Sequence, residues 1–102
     1  MYSRFLDIAV TLPTLQGSPK QIKWGTELRK RFIFRCAHCF DFDWEGIQIC
    51  LGQGLNVEAQ ELQKELDKKQ AAMNNVLSID SARFYIESRE KSVEEILRQY
   101  MN

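Results

Sequence analysis

Cys36, Ala37, His38 and Cys39 bring two thiols and the chain's one histidine into four consecutive positions, and Cys50 follows. Two thiolates spaced C-x-x-C are the usual half of a structural zinc site, which needs four ligands. Here the second C-x-x-C is missing. Cys36, Cys39 and Cys50 supply three ligands, and His38 lies between the first two, where it is poorly placed to point at the same ion. The alternative is that Cys36 and Cys39 share one face of a helix as small apolar core residues. A thioredoxin-type redox pair would need a βαβ context, which the pattern does not supply. A catalytic Ser-His or Cys-His pair would have to use His38, and no nucleophile elbow or acid partner accompanies it. Asp41 and Asp43 are two apart, so on a helix they point to different faces. Phosphate-loop and dinucleotide glycine patterns are absent. The sequence reads as non-enzymatic and without a cofactor.

A second chemistry is better supplied. G-S-P-K-Q-I-K-W, residues 17–24, opens with a helix-start signature: Ser18 as N-cap, Pro19 at the first helical position and Gln21 three after the cap. Helix N-termini gather unpaired N–H groups and the positive dipole end, which suit anions. Gly17 permits close approach to the backbone, Ser18, Lys20 and Gln21 can donate to a phosphate or carboxylate, and Trp24 can stack on a base. The competing reading is that Ser18 and Gln21 serve only the cap, Trp24 is core and Lys20 is solvated. Arg83 and Arg89, in A-R-F-Y-I-E-S-R, can reach an anion held there if the fold brings the two segments together.

The elements that must position these residues are mostly helical. Residues 5–12 alternate apolar and polar, the period of a strand or extended arm with one buried face, and Pro13 ends it. Helix follows Ser18, with a stripe of Leu28, Phe32, Cys36, Cys39 or Phe40, and Ile47. R-F-I-F-R-C leaves 33–50 open between helix and strand, and Gly46 is a candidate stop. L-G-Q-G-L, residues 51–55, is a break. Asn56 is placed to cap a second helix with the stripe Ala59, Leu62, Leu66, Met73 and Leu77. Asp80 is placed to cap a third, and Ser92-x-x-Glu95 is a second capping box opening a fourth. The fold expected is mostly α, three to four helices in a small bundle, with a short N-terminal strand or extended arm, as one domain over 1–102.

Composition narrows the class of partner. Fourteen cations balance fourteen anions, which excludes a nucleic-acid mimic of massed carboxylates and a strongly basic non-specific binder. The charge is uneven, however. Lys20 to Arg35 holds six cations against Glu27, five net positive, and Asp41, Asp43 and Glu45 follow without a cation. That basic stretch supports a nucleic-acid-binding accessory module as the alternative function. No apolar run approaches the ~20 residues that span a bilayer, and the start lacks signal-peptide character. An odd number of cysteines without framework spacing points to reduced thiols and a cytoplasmic setting. Eleven aromatic residues exceed what one modest core absorbs, so some are expected at the surface or in a homo-oligomer contact.

Residues 12–29, L-P-T-L-Q-G-S-P-K-Q-I-K-W-G-T-E-L-R, resemble a pattern of small phage and bacterial proteins, Leu-Pro-x-Leu-x-Gly-Ser-x-Lys-Gln-Ile-x-Trp-Ala-x-x-Ile-Arg. Residues 82–89 are similar to an Ala-x-Phe-Trp-Ile-Asp-x-Arg element that accompanies it. Gly25, Leu28, Tyr85 and Glu87 depart from the pattern. Gly25 weakens an early helical turn by up to about 1 kcal/mol relative to Ala. The resemblance covers about a quarter of the chain. It implies a shared fold and a phage setting, in which a small non-enzymatic protein antagonises a bacterial defence system. Two routes are open: sequestering a nucleotide signal at the Ser18 helix start, or occluding a defence protein as anti-CRISPR proteins do. Small zinc-stabilised interaction domains are a third reading, carried by the cysteines.

Overall fold

The computed structural model describes residues 12–101. Residues 5–11 of the expected strand lie outside the described residues. Four helices follow in order: α1 (Pro19–Gly52), α2 (Asn56–Leu77), α3 (Ala82–Glu87) and α4 (Val93–Gln99). No strand occurs among the described residues, only an isolated parallel bridge between Gln16 and Ser81. The mostly α, small-bundle expectation holds.

Both capping boxes form. Ser18 Oγ accepts from the Gln21 N–H at 3.2 Å, and Gln21 Oε1 accepts from the Ser18 N–H at 2.9 Å. Ser92 and Glu95 make the same exchange at α4. The other two starts differ from expectation. α2 begins after Leu55 with no side-chain cap, so Asn56 is its first helical residue. α3 is capped by Ser81, whose Oγ accepts from the Phe84 N–H at 3.4 Å. Asp80, one residue earlier, is occupied elsewhere: its carboxylate accepts from Gln16 Nε2 at 3.1 Å.

α1 is one continuous helix of 34 residues, about 51 Å long at 1.5 Å per residue. The 33–50 ambiguity resolves as helix. Leu28, Phe32, Cys36, Phe40 and Ile47 all fall on one face, and all are buried. Such spacing buries one stripe only as helix. Gly46 does not stop it. The stop is a Schellman turn at Gly54, whose φ is +74°. There the Leu55 N–H donates to the Cys50 carbonyl at 2.8 Å and the Gly54 N–H to Leu51 at 3.1 Å.

α2 folds back along α1, and α3 and α4 complete the core at the N-terminal half of α1. Ala59, Leu66, Met73, Val76 and Leu77 are the α2 contribution. Leu62, expected in that stripe, is 40% exposed, because little packs over the far end of the hairpin. The described chain is elongated accordingly, 53 × 29 × 23 Å with a radius of gyration of 15.2 Å, against about 13 Å for a compact domain of this size.

Four groups tie stability to pH. Burial pushes the Cys36 thiol from 9.0 up to about 12 and also raises the Cys39 thiol, with the Asp43 carboxylate adding to it. Burial likewise pushes the Tyr85 phenol from 10.0 to about 12, and its hydroxyl donates to the Val76 carbonyl at 3.2 Å. Burial alone would lower Lys69, but its 3.0 Å hydrogen bond to Asp43, and the charge of that carboxylate, raise it on balance. All four hold protons more tightly when folded. Their contribution is complete below the unfolded values and is lost as pH rises through the folded ones. Urea midpoints should therefore fall steadily between pH 9 and pH 12, and Cys36→Ala should flatten that decline.

Candidate anion-binding site

The two segments that carry the resemblance dock on one another. The Gln16 N–H donates to the Asp80 carbonyl at 2.7 Å, and the Ala82 N–H to Gln16 at 3.0 Å. Gly25 faces Ala82 so closely that a Cβ on it would lie 2.9 Å from Ala82 Cβ and 3.0 Å from its Cα. The absent side chain lets α3 lie against α1. Gly25 is thus a packing residue, which revises its reading as only a weak point in the helix. Gly17, with φ at +149°, adopts a backbone that side chains rarely reach, and a Cβ there would meet Gln21 Oε1 at 2.9 Å. Its glycine serves the capping box rather than the approach of a ligand.

Docking brings Arg89 over Trp24, with the guanidinium carbon 5.1 Å from the ring centre. Trp24 is therefore not core: it is 47% exposed beneath that cation. Arg89 also donates to the Ile86 carbonyl at 2.6 Å. Arg83 does not join this pair. It is engaged within α3 by Glu87, 2.6 Å away. Ser18 and Gln21 are consumed by the cap, and Lys20 is exposed without a partner among the described residues.

The hollow beside this pair is where cations converge. Arg31 and Arg35 from α1 and Arg89 and Lys91 from the α3–α4 turn line it, over a floor that includes Leu28, Phe32, Phe84, Tyr85 and Ile96. No carboxylate is among its lining residues. Its volume is about 30 Å³, about the share of one water molecule, so an anion is met at its cationic mouth and not enclosed in it. A broader, apolar shelf of about 490 Å³ adjoins it, sharing Arg31, Arg35 and Val93 and adding Phe34, His38, Cys39 and Ser92. That size falls within the usual range for small-molecule sites.

Of the basic stretch, Arg29 donates to the Pro13 carbonyl at 2.7 Å and Lys30 lies 3.8 Å from Glu27. Lys20, Lys23, Arg31 and Arg35 are exposed and have no carboxylate partner among the described residues. The first turn of α1 holds no acid and its last turn no base. α4, by contrast, has Glu94 and Glu95 at its start and Arg98 at its end. Cations at an N-terminus oppose the macrodipole, so α1 is left with a positive end that an anion would relieve. The sequence signal for Arg31 and Arg35 was the five-net-positive stretch. Lys91 had no signal.

The zinc reading fails on geometry. On a continuous helix Cys50 sits about 16 Å along the axis from Cys39, against Zn–S bonds of about 2.3 Å. Among the described residues no group of three His, Cys, Asp or Glu could hold a metal ion. No described helix is long and apolar enough to cross a membrane. No family model, curated protein or solved structure matches the chain.

Proposed function

We propose that the chain is a non-enzymatic binding protein that captures a phosphate-bearing small molecule, a nucleotide signal in the phage anti-defence setting that the resemblance implies. One observation carries this reading. Four cations, Arg31, Arg35, Arg89 and Lys91, converge without a carboxylate on a hollow that opens onto an apolar shelf. The phosphate sits at the mouth of the small cationic hollow, met by the exposed ends of these four side chains through charge-assisted hydrogen bonds. The base lies on the shelf, against Phe34 and Val93. Binding rather than catalysis is the expectation because His38 is exposed and has no hydrogen-bond partner among the described residues. Occlusion of a defence protein by the same face is the other form of this proposal.

A thermal-shift panel of linear and cyclic nucleotides tests it. A ligand at 100 times its Kd stabilises by about 2.7 kcal/mol, on the order of 10 °C in Tm for a chain this short. No shift, with no retention of labelled nucleotide in equilibrium dialysis, overturns the nucleotide reading.

The alternative, single-stranded nucleic acid, draws on exposed Trp24 and Phe34 interleaved with Lys20, Lys23, Arg31 and Arg35. Stacking platforms in a positive groove are how such strands are held. Four phosphate contacts predict log K falling with log salt at a slope of about −3. A salt-independent affinity removes this alternative.

A further inference from the structure

One exposed edge of α1 carries a seam whose first half, Arg31, Arg35 and His38, rims the hollow and shelf beside α3 and α4 and whose second half stands clear of them. Arg31, Arg35, His38, Phe42, Glu45 and Ile49 recur at alternating spacings of four and three, and every one is exposed. That is the 3.5-residue period with which helices pair side by side. Its apolar members are large and open: Phe42 is 76% exposed and Ile49 61%. Glu45 has no ion-pair partner among the described residues. The seam is also polar in direction. Its cations lie in the first half, and its acid and its aliphatic residue in the second. Beyond it, Gly46 to Val57 is a run of twelve residues without a charge.

We infer that a second copy of this chain docks on the seam, with the two α1 helices antiparallel. The charge pattern selects both the partner and the direction. Parallel pairing would set Arg31 on Arg31, Arg35 on Arg35 and Glu45 on Glu45. Like charges in register are destabilising. Antiparallel pairing about residue 40 matches each layer with its complement: Arg35 with the second copy's Glu45, Phe42 with its His38, and Ile49 with the aliphatic stem of its Arg31. Two-fold symmetry makes each layer occur twice, as an isologous contact requires. The seam runs about 27 Å, five turns of one helix. A contact of one helix face over five turns is small as interfaces go, so the dimer is concentration-dependent. The seam shares Arg31 and Arg35 with the cationic hollow, so assembly and ligand binding draw on the same cations; sedimentation without any ligand reads assembly alone and keeps the two readings distinguishable.

Sedimentation equilibrium of the full chain, from about 10 μM to about 1 mM, should show a monomer passing to a dimer and no further. Phe42→Glu should weaken the dimer at least about tenfold. Phe42 is so exposed that the helix content read by circular dichroism should not change. Arg35→Glu alone and Glu45→Arg alone should each weaken it about tenfold, and the double variant should return to within about threefold of the parent. Residues 35 and 45 lie about 15 Å apart on one straight helix, so that rescue has to come from a second copy. A monomer at every concentration, assembly beyond the dimer, an unaffected Phe42→Glu, or a double variant without rescue each overturns the proposal.

Discussion

Gly25→Val should destabilise the fold by about 3 kcal/mol and lower the Tm by at least about 12 °C, read by thermal unfolding. The position is buried, and the atoms that a Cβ would meet include the Ala82 Cα at 3.0 Å and carbonyl oxygen at 3.2 Å. Backbone cannot rotate aside as a side chain can. The strain therefore falls on the docking of α3 against α1, which also sets Arg89 over Trp24. Gly25→Ala should act in the same direction with a smaller cost, since it adds only the Cβ. Ala82→Gly in the Gly25→Ala background should recover part of that loss, because it removes the nearest atom, Ala82 Cβ at 2.9 Å, but leaves the backbone contacts. A shared contact of this kind gives non-additive energies. Additive effects would show that Gly25 matters only for local helix propensity.

Reversing Arg31 and Arg35 together to glutamate should abolish nucleotide binding, by at least about 100-fold, without lowering the Tm of the free protein. Each charge-assisted contact contributes about 1.5–3 kcal/mol, so losing two exceeds a hundredfold even before repulsion is counted. The stability half of the prediction is the more diagnostic. Both side chains are exposed, so their replacement removes no core. Four cations around one hollow repel one another when it is empty, and reversing two turns that repulsion into attraction, at the few-tenths scale of exposed pairs. Loss of binding with equal or higher Tm is the signature of a site kept at some cost to stability. Loss of binding accompanied by a falling Tm would instead assign both arginines to the fold.

The helical architecture was readable from the sequence because its signals are local. Ser18 with Gln21 and Ser92 with Glu95 close capping boxes within four residues, and both form. What was misread depended on groups distant in the chain. Asp80 looked like the α3 cap, yet its carboxylate is taken by Gln16, and Ser81 caps instead. R-F-I-F-R-C favoured neither helix nor strand locally, and packing of Phe32, Cys36 and Phe40 into the core decided it. The candidate site divides in the same way. Approach of Arg89 to Trp24 was posed as a condition on the fold, and the structure meets it. Arg83 was grouped with Arg89 although only the latter reaches. The net charge of residues 20–35 was visible, but not which cations lack a partner. Arg29 is taken by the Pro13 carbonyl and Lys30 by Glu27, and neither engagement is written in composition.

The rigidity of α1 has a consequence for the molecule in bulk solution. Its basic stretch and its acidic cluster at Asp41, Asp43 and Glu45 are fixed on one unbroken rod, with centres about 20 Å apart. Along α1, a chain of zero formal net charge thus holds a fixed separation of charge, lessened at Asp43 by its pairing with Lys69. Neutral but strongly dipolar proteins attract one another head to tail, and dissolved ions screen that attraction over about 10 Å at 0.1 M. Solubility should therefore rise with the first additions of salt, the salting-in of a dipolar ion, although there is no net charge for the salt to shield.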